Sequence, residues 1–303
     1  MKPTSPTVLP LVSIIVITFN SSKYVLETLE SSKAQTYQNI ELIVSDDCST
    51  DATPEICKKW IEENKNRFVR TEFIEAQKNT GIPGNCNRGL NVAQGEWIKF
   101  IAGDDVLMAN CVVTMLSFSI ANNSHLATSA IEEFCEGGLP ARVSNSILLK
   151  QLIFFKKNNK DQFKFYLRDS IFLNSPAFLI KKDLFNKIGV FDESFRMLED
   201  TPFVIRTLKA GYVVYYNQEV TVRYRTYPQA ENRVRGQSED MFLCFDKYQR
   251  PYLNIINIID MFVIYNWFLI NQTRKARNKC ANVFYRLLLN VTSPIYIRGK
   301  RAN

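Results

Sequence analysis

Residues 11–18 read Leu-Val-Ser-Ile-Ile-Val-Ile-Thr, an almost unbroken β-branched apolar run. A surface helix or a half-exposed strand would interrupt such a run with polar residues at its own period. A strand buried on both faces does not, and such strands belong to parallel sheets covered by helices. The pattern then repeats. A helical pattern from Ser21 to Ala34 leads to a strand over Ile40–Ser45, and a helix over Pro54–Glu63 leads to a strand over Val69–Ala76. A helix over Pro83–Ala93 precedes a fourth strand, Trp97–Ala102. This alternation predicts an α/β fold, a doubly wound, mostly parallel sheet with helices on both faces.

After Asp105 the alternation loosens. The spacing predicts helices over Met108–Ala121, Ser144–Leu167 and Glu199–Ala210, and strands over Leu126–Glu133, Ala177–Ile180, Tyr212–Tyr216 and Val220–Tyr224. From about Ser238 the pattern is helical to the end. The expected division is a main domain over 1–235 and a helical, basic extension over 236–303.

Composition removes several chemistries. The single histidine, His125, leaves no basis for multi-histidine zinc sites, and catalytic triads would need that one imidazole. Seven cysteines without a CxxC pair read as reduced thiols of a cytosolic protein. No leader peptide is expected from the proline-containing first ten residues. The net charge of +8 resides entirely in residues 250–303, where nine Lys/Arg face one acid, Asp260. The rest of the chain sums to zero, so nucleic-acid binding by the fold is not expected.

In a parallel α/β sheet, ligands bind beyond the carboxyl ends of the strands. Three polar clusters fall there: Thr18-Phe19-Asn20, Asp46-Asp47 and Asp104-Asp105. Paired aspartates at a strand end can offer hard oxygen ligands to Mg²⁺ or Mn²⁺, or accept hydrogen bonds from a ribose. Read alone, Asp46-Asp47 followed by Ser49, Thr50 and Asp51 also suits turns and helix caps, and Glu199-Asp200 suits first-turn acids facing a helix dipole.

Taken in order, the pieces resemble the family 2 glycosyltransferases, inverting nucleotide-sugar enzymes of the GT-A fold. The stretches are Val12–Asn20, Gln35–Asp51, Asn79-Thr-Gly-Ile82, Asn87-Arg-Gly-Leu90, Ala93–Ile101, Gly103-Asp-Asp105 and Leu198–Gly211. The resemblance covers about residues 10–230. It implies a nucleotide-sugar half over 10–105 and an acceptor half over 106–235. Thr18, Asn20 and Asp46 would line base and ribose, with Asp47 supporting their loop. Asp105 would ligate a divalent cation, Mg²⁺ or Mn²⁺, and Asp104 would share that motif while facing ribose or pyrophosphate. Asp200 would be the general base, with Glu199 beside it.

The resemblance also implies the partners: a nucleotide diphosphate-sugar donor, a UDP-sugar first among them, and a saccharide or lipid-linked acceptor of cell-surface polysaccharide synthesis. Three positions depart from the family pattern. Ala102 stands where many members carry Asp, and Tyr227 where many carry His. Cys86 stands where many carry Arg, which leaves Arg88 or another cation to contact phosphate. Arg225 is a second candidate for neutralising charge, against the usual solvated strand arginine.

Residues 252–270 are apolar but interrupted by Asn254, Asn257, Asp260 and Asn266, so a membrane-spanning helix is not expected. With the basic residues that follow, 252–303 suits either an anionic membrane surface or docking on the enzyme or a homodimer partner. The expected location is cytoplasmic, peripheral on the inner face of the membrane. Two other readings share the architecture. One is a catalytically silent nucleotide-sugar-binding or scaffold protein; the other is a nucleotidyltransferase, for which Thr18–Lys23 lacks a Gly-rich phosphate loop.

Overall fold

The apolar run of residues 11–18 becomes β1 (Val12–Thr18), whose Val12, Ile14, Ile15 and Val16 are fully buried. It pairs in parallel with β2 (Ile40–Asp46) on one side and β4 (Trp97–Ala102) on the other, and β3 (Arg70–Glu75) extends the sheet beyond β2. The connections are α1 (Val25–Lys33), α2 (Thr53–Asn64) and α3 (Ile82–Val92). The computed structural model describes residues 9–135, 142–143, 149–168, 173–227, 239–241 and 243–252.

Beyond β4 the sheet becomes mixed. Its order is β3-β2-β1-β4-β8-β6-β9-β5, where β5 is Val106–Leu107, β6 Leu126–Phe134, β8 Leu179–Lys181 and β9 Val214–Arg225. The short β7 (Arg142–Val143) pairs with β6. β8 runs antiparallel to both β4 and β6, whereas β6 and β9 are parallel. α4 (Cys111–Ala121) follows β5, α7 (Lys182–Ile188) follows β8, and α8 (Asp200–Lys209) precedes β9.

The differences from the sequence-based expectations have local causes. The two strands expected over 212–224 are one strand, β9, whose register shifts opposite Ser129–Ile131. A β-bulge offsets the side-chain alternation, and the sequence therefore reads as two pieces. The single helix expected over 144–167 is two, α5 (Leu149–Phe155) and α6 (Asn159–Arg168). Asn158 begins the second, its Oδ1 accepting the Asp161 amide (3.0 Å), so a polar cap breaks the run at the basic stretch.

By contact clustering the chain forms two units, residues 1–146 with 173–229 and residues 147–172 with 230–303. In that second unit Phe154 is fully buried and stacks with Phe165 and Tyr166. The expectations for 253–303 lie outside the described residues. Among those described, no helix is long and apolar enough to cross a membrane.

One buried charge holds the first four strands in register. Glu41 on β2 has no exposed surface; its carboxylate accepts the Ser13 hydroxyl (2.5 Å), the amides of Gln94 (2.5 Å) and Gly95 (2.8 Å), and Arg70 (3.0 Å). Glu41→Ala strands all four donors. Equilibrium urea unfolding should show a loss of about 3–5 kcal/mol, the range for breaking a buried charge network.

Candidate active site

Parallel pairing sets Thr18 opposite Asp46 and Ile17 opposite Ala102, so β1, β2 and β4 end at one edge. There two loops interlock. Thr18 Oγ1 donates to Asp46 Oδ1 (2.8 Å), and Asp46 also accepts the Ser49 hydroxyl (2.6 Å) and amide (2.8 Å). The Asn20 amide donates to Ser49 Oγ (2.8 Å), while its Oδ1 accepts the Thr50 amide (2.8 Å). Asn20 and Cys48 hold left-handed backbone, φ 49° and 65°. Asparagine adopts that region readily and cysteine rarely, so the surrounding bonds are fixing the second loop tip.

Asp46 is fully buried and its bonds organise the two loops. What faces outward is Asn20 and Phe19, the latter 49% exposed. Sequence reasoning passes over Phe19, although an aromatic at the end of an apolar strand was the available signal.

Asp47, also buried, accepts the Thr80 amide (2.9 Å) and hydroxyl (2.7 Å) and the Gly81 amide (2.8 Å). Arg88 closes this knot through Asp47 (3.1 Å), Thr80 Oγ1 (2.7 Å) and Asn85 Oδ1 (2.9 Å). Its guanidinium braces the Asp47 loop.

At the end of β4 the Gly103 amide bonds the Ile17 carbonyl (2.9 Å), which sets the Asp104-Asp105 turn against β1. The two aspartates differ. Asp105 is 1% exposed, and its Oδ1 accepts the Arg225 amide (2.8 Å). Asp104 is half-buried, its Oδ2 accepting the Tyr227 hydroxyl (2.8 Å) and its carbonyl accepting Arg225 Nε (2.8 Å). Burial and the Asp104 carboxylate push the Tyr227 hydroxyl upward, so it remains a proton donor. Arg225 is a buried residue and not a solvated one. It pairs with Glu27, and its guanidinium lies 4.2 Å from the Tyr24 ring and 4.3 Å from the Phe134 ring.

The Glu199-Asp200 pair reaches this edge through α3. Asn87 Nδ2 donates to the Phe191 carbonyl (2.9 Å) and the Glu193 carboxylate (2.8 Å), and Asn87 Oδ1 accepts the Phe191 amide (3.0 Å). The Ile82 amide donates to the Arg196 carbonyl (2.8 Å). Gly81, φ 84°, permits that approach, since a Cβ there would lie 2.5 Å from the same oxygen. The loop leading into α8 is thus stitched to the helix that also carries Cys86 and Arg88.

Burial first and the Glu199 carboxylate second push Asp200 up to about 8. The Thr201 amide at the start of α8 acts in the opposite sense, donating to Asp200 Oδ1 (2.5 Å). Cys86, 2% exposed, lies in the field of both Glu199 and Asp47, and burial with those charges keeps its thiol protonated.

A profile of Glycosyl transferase family 2 matches residues 13–189, more than half of the chain. The chain belongs to glycosyl transferase family 2. It is a glycosyltransferase, and the matched span includes both donor-side aspartate pairs and α3. Glycosyltransferase GlyG of Streptococcus pneumoniae serotype 4 is 27% identical over 213 residues, 69% of each chain. A Campylobacter jejuni protein named GalNAc(5)-diNAcBac-PP-undecaprenol beta-1,3-glucosyltransferase is 29% identical over 150 residues, 50% of this chain and 47% of its own.

Solved glycosyltransferases share the fold. The mannosyltransferase PcManGT of Pyrobaculum calidifontis, in complex with GDP-Man and Mn²⁺, aligns with a TM-score of 0.62 at 16% identity, over 95% of this chain and 85% of its own. S. aureus TarS 1-349 with UDP-GlcNAc aligns with a TM-score of 0.55 at 16% identity, over 95% and 92%. Within glycosyl transferase family 2, this chain brings Thr18, Asn20, Asp46, Asp47, Asp104 and Asp105 to one sheet edge, with the Glu199-Asp200 loop tied to α3 beside it.

Proposed function

We propose that this glycosyltransferase moves a sugar from a nucleoside-diphosphate donor to a hydroxyl acceptor with inversion at the anomeric carbon. The observation that carries the reading is the loop leading into Asp200, bonded to α3 through Phe191 and Arg196, with burial and the neighbouring Glu199 raising the Asp200 carboxyl to about 8. A base of that strength can accept a proton near neutral pH. The acceptor O–H proton passes to Asp200, the acceptor oxygen bonds to the anomeric carbon, and the bond to the diphosphate oxygen breaks on the opposite face. A nucleoside diphosphate leaves. The exposed Phe19 ring and Asn20, on the platform organised by Thr18 and Asp46, suit the face and edge of a nucleobase.

The donor set fits a divalent cation carried by the substrate. Among the described residues no three His, Cys, Asp or Glu side chains group as a metal cage. Mg²⁺ and Mn²⁺ at phosphate sites commonly take one or two carboxylates and complete their shell with phosphate oxygens and water. Asp104, half-buried, is the carboxylate we assign to that contact, and Asp105, inside, holds the turn by binding the β9 backbone. When bound, the cation would neutralise charge on the leaving diphosphate. The complexes of TarS with UDP-GlcNAc and of PcManGT with GDP-Man and Mn²⁺ support this reading, and the relative named for GalNAc(5)-diNAcBac-PP-undecaprenol supports a lipid-linked acceptor.

Calorimetric titration with UDP, GDP and dTDP, in Mn²⁺ and then in EDTA, tests it. Binding of one diphosphate that weakens on chelation is the expected result. Folded protein that binds none of the three would overturn the donor assignment and favour the scaffold reading.

A further inference from the structure

Lys99 lies on β4, within the strand that ends at Asp104-Asp105, and has no exposed surface. Its ammonium donates to the Pro176 carbonyl (2.5 Å). Burying an ammonium is costly, and here a named partner is a main-chain oxygen of the short turn Ser175–Ala177. Burial lowers the lysine's basicity, while Cys111 and Asp105 act in the opposite sense. The turn it grips also reaches α8: the Ser175 hydroxyl donates to Glu199 Oε1. Glu199 is itself 9% exposed and directly precedes Asp200. A continuous path therefore runs from the donor-side strand through Lys99, Pro176 and Ser175 to the acceptor-side carboxylates.

We propose that Ser175 is a positioning residue for sugar transfer, its hydroxyl holding the Glu199 carboxylate against Asp200, with Lys99 fixing the turn that presents it. The inference rests on the reading of Asp200 as the base. A hydroxyl donated to a carboxylate favours its ionised form. An ionised Glu199 beside Asp200 makes Asp200 the stronger base, and the two titrate as a pair. On the neighbouring elements, the Cys86 thiol of α3 lies in the field of Glu199, and Thr201 on α8 donates to Asp200 Oδ1 (2.5 Å). Ser175 is a neutral donor bonded to the Glu199 carboxylate.

The test is a carboxyl ¹³C titration of the full chain labelled at aspartate, with the Asp200 resonance assigned by its loss in Asp200→Asn. In Ser175→Ala, Glu199 holds its proton more readily, so the lower titration of the pair, reported by the Asp200 carboxyl, should move up. Ser175→Thr keeps the hydroxyl and should restore it. Lys99→Met should shift it in the same direction as Ser175→Ala; if that buried substitution prevents folding, the half-buried Ser175 decides the matter. A Ser175→Ala titration that superimposes on the unmodified protein overturns the positioning role. Nucleoside diphosphate release from UDP-GlcNAc and GDP-Man, followed in parallel, separates the two readings. Full turnover in Asp200→Asn sinks the base assignment, whereas an unmoved titration in Ser175→Ala sinks only the inference drawn from the turn.

Discussion

Asp200→Asn is expected to lower sugar transfer by about 10²–10⁴-fold while leaving nucleotide binding unchanged, because a positioned base contributes that much and acts only on the acceptor proton. The pH dependence gives a second readout. Asp200 accepts a proton only when ionised, so transfer should rise about tenfold per pH unit towards about pH 8 and flatten above it. The stability effect has the opposite sign. A carboxylate raised above its unfolded value stabilises the fold while protonated, and that contribution is lost as pH rises from the ordinary carboxylate range through about 8. Asp200→Asn, which cannot ionise, should therefore gain Tm relative to the unmodified protein as pH rises. Transfer that survives the substitution with its pH limb intact would remove Asp200 from the mechanism.

Asp104→Ala is the second large expectation. Cation-dependent diphosphate affinity should fall by about 100-fold, to the level seen in EDTA, with little change in Tm. Asp105→Ala should behave differently. It leaves the buried Arg225 amide without its carboxylate partner, at a cost of about 1–3 kcal/mol, and any loss of binding should accompany loss of fold. Calorimetry with thermal unfolding on both variants distinguishes them. If Asp105→Ala stayed fully stable and lost the cation dependence while Asp104→Ala bound normally, the two roles would have to be exchanged.

The contrast between these aspartates shows what the sequence made legible. Both sit after an apolar strand, and the strand-end rule placed both at the edge where ligands are expected. Which one is buried depends on Arg225, 120 residues away, whose amide claims Asp105. Asp46-Asp47 follows the same logic. Their place at the end of β2 was readable, but their burial and the engagement of Arg88 follow from the Thr80-Gly81 loop packing onto them. Arg225 looked like a surface residue because its aromatic neighbours, Tyr24 and Phe134, come from separate elements. Lys99 lay unnoticed inside an apolar strand for the same reason: its partner, the Pro176 carbonyl, has no side-chain signature.

The sequence by itself determined the early alternation of strands and helices, the edge at which the aspartate pairs gather and the family to which the chain belongs. These rest on period, composition and short motifs, which are local properties of the chain. Only the tertiary structure decided which acids are inside, that Arg88 braces a loop, and that Glu199-Asp200 is tied to α3. The physical reason is that desolvation and hydrogen-bond satisfaction set a side chain's role, and both depend on partners such as Phe191, which bonds Asn87 across 104 residues of chain.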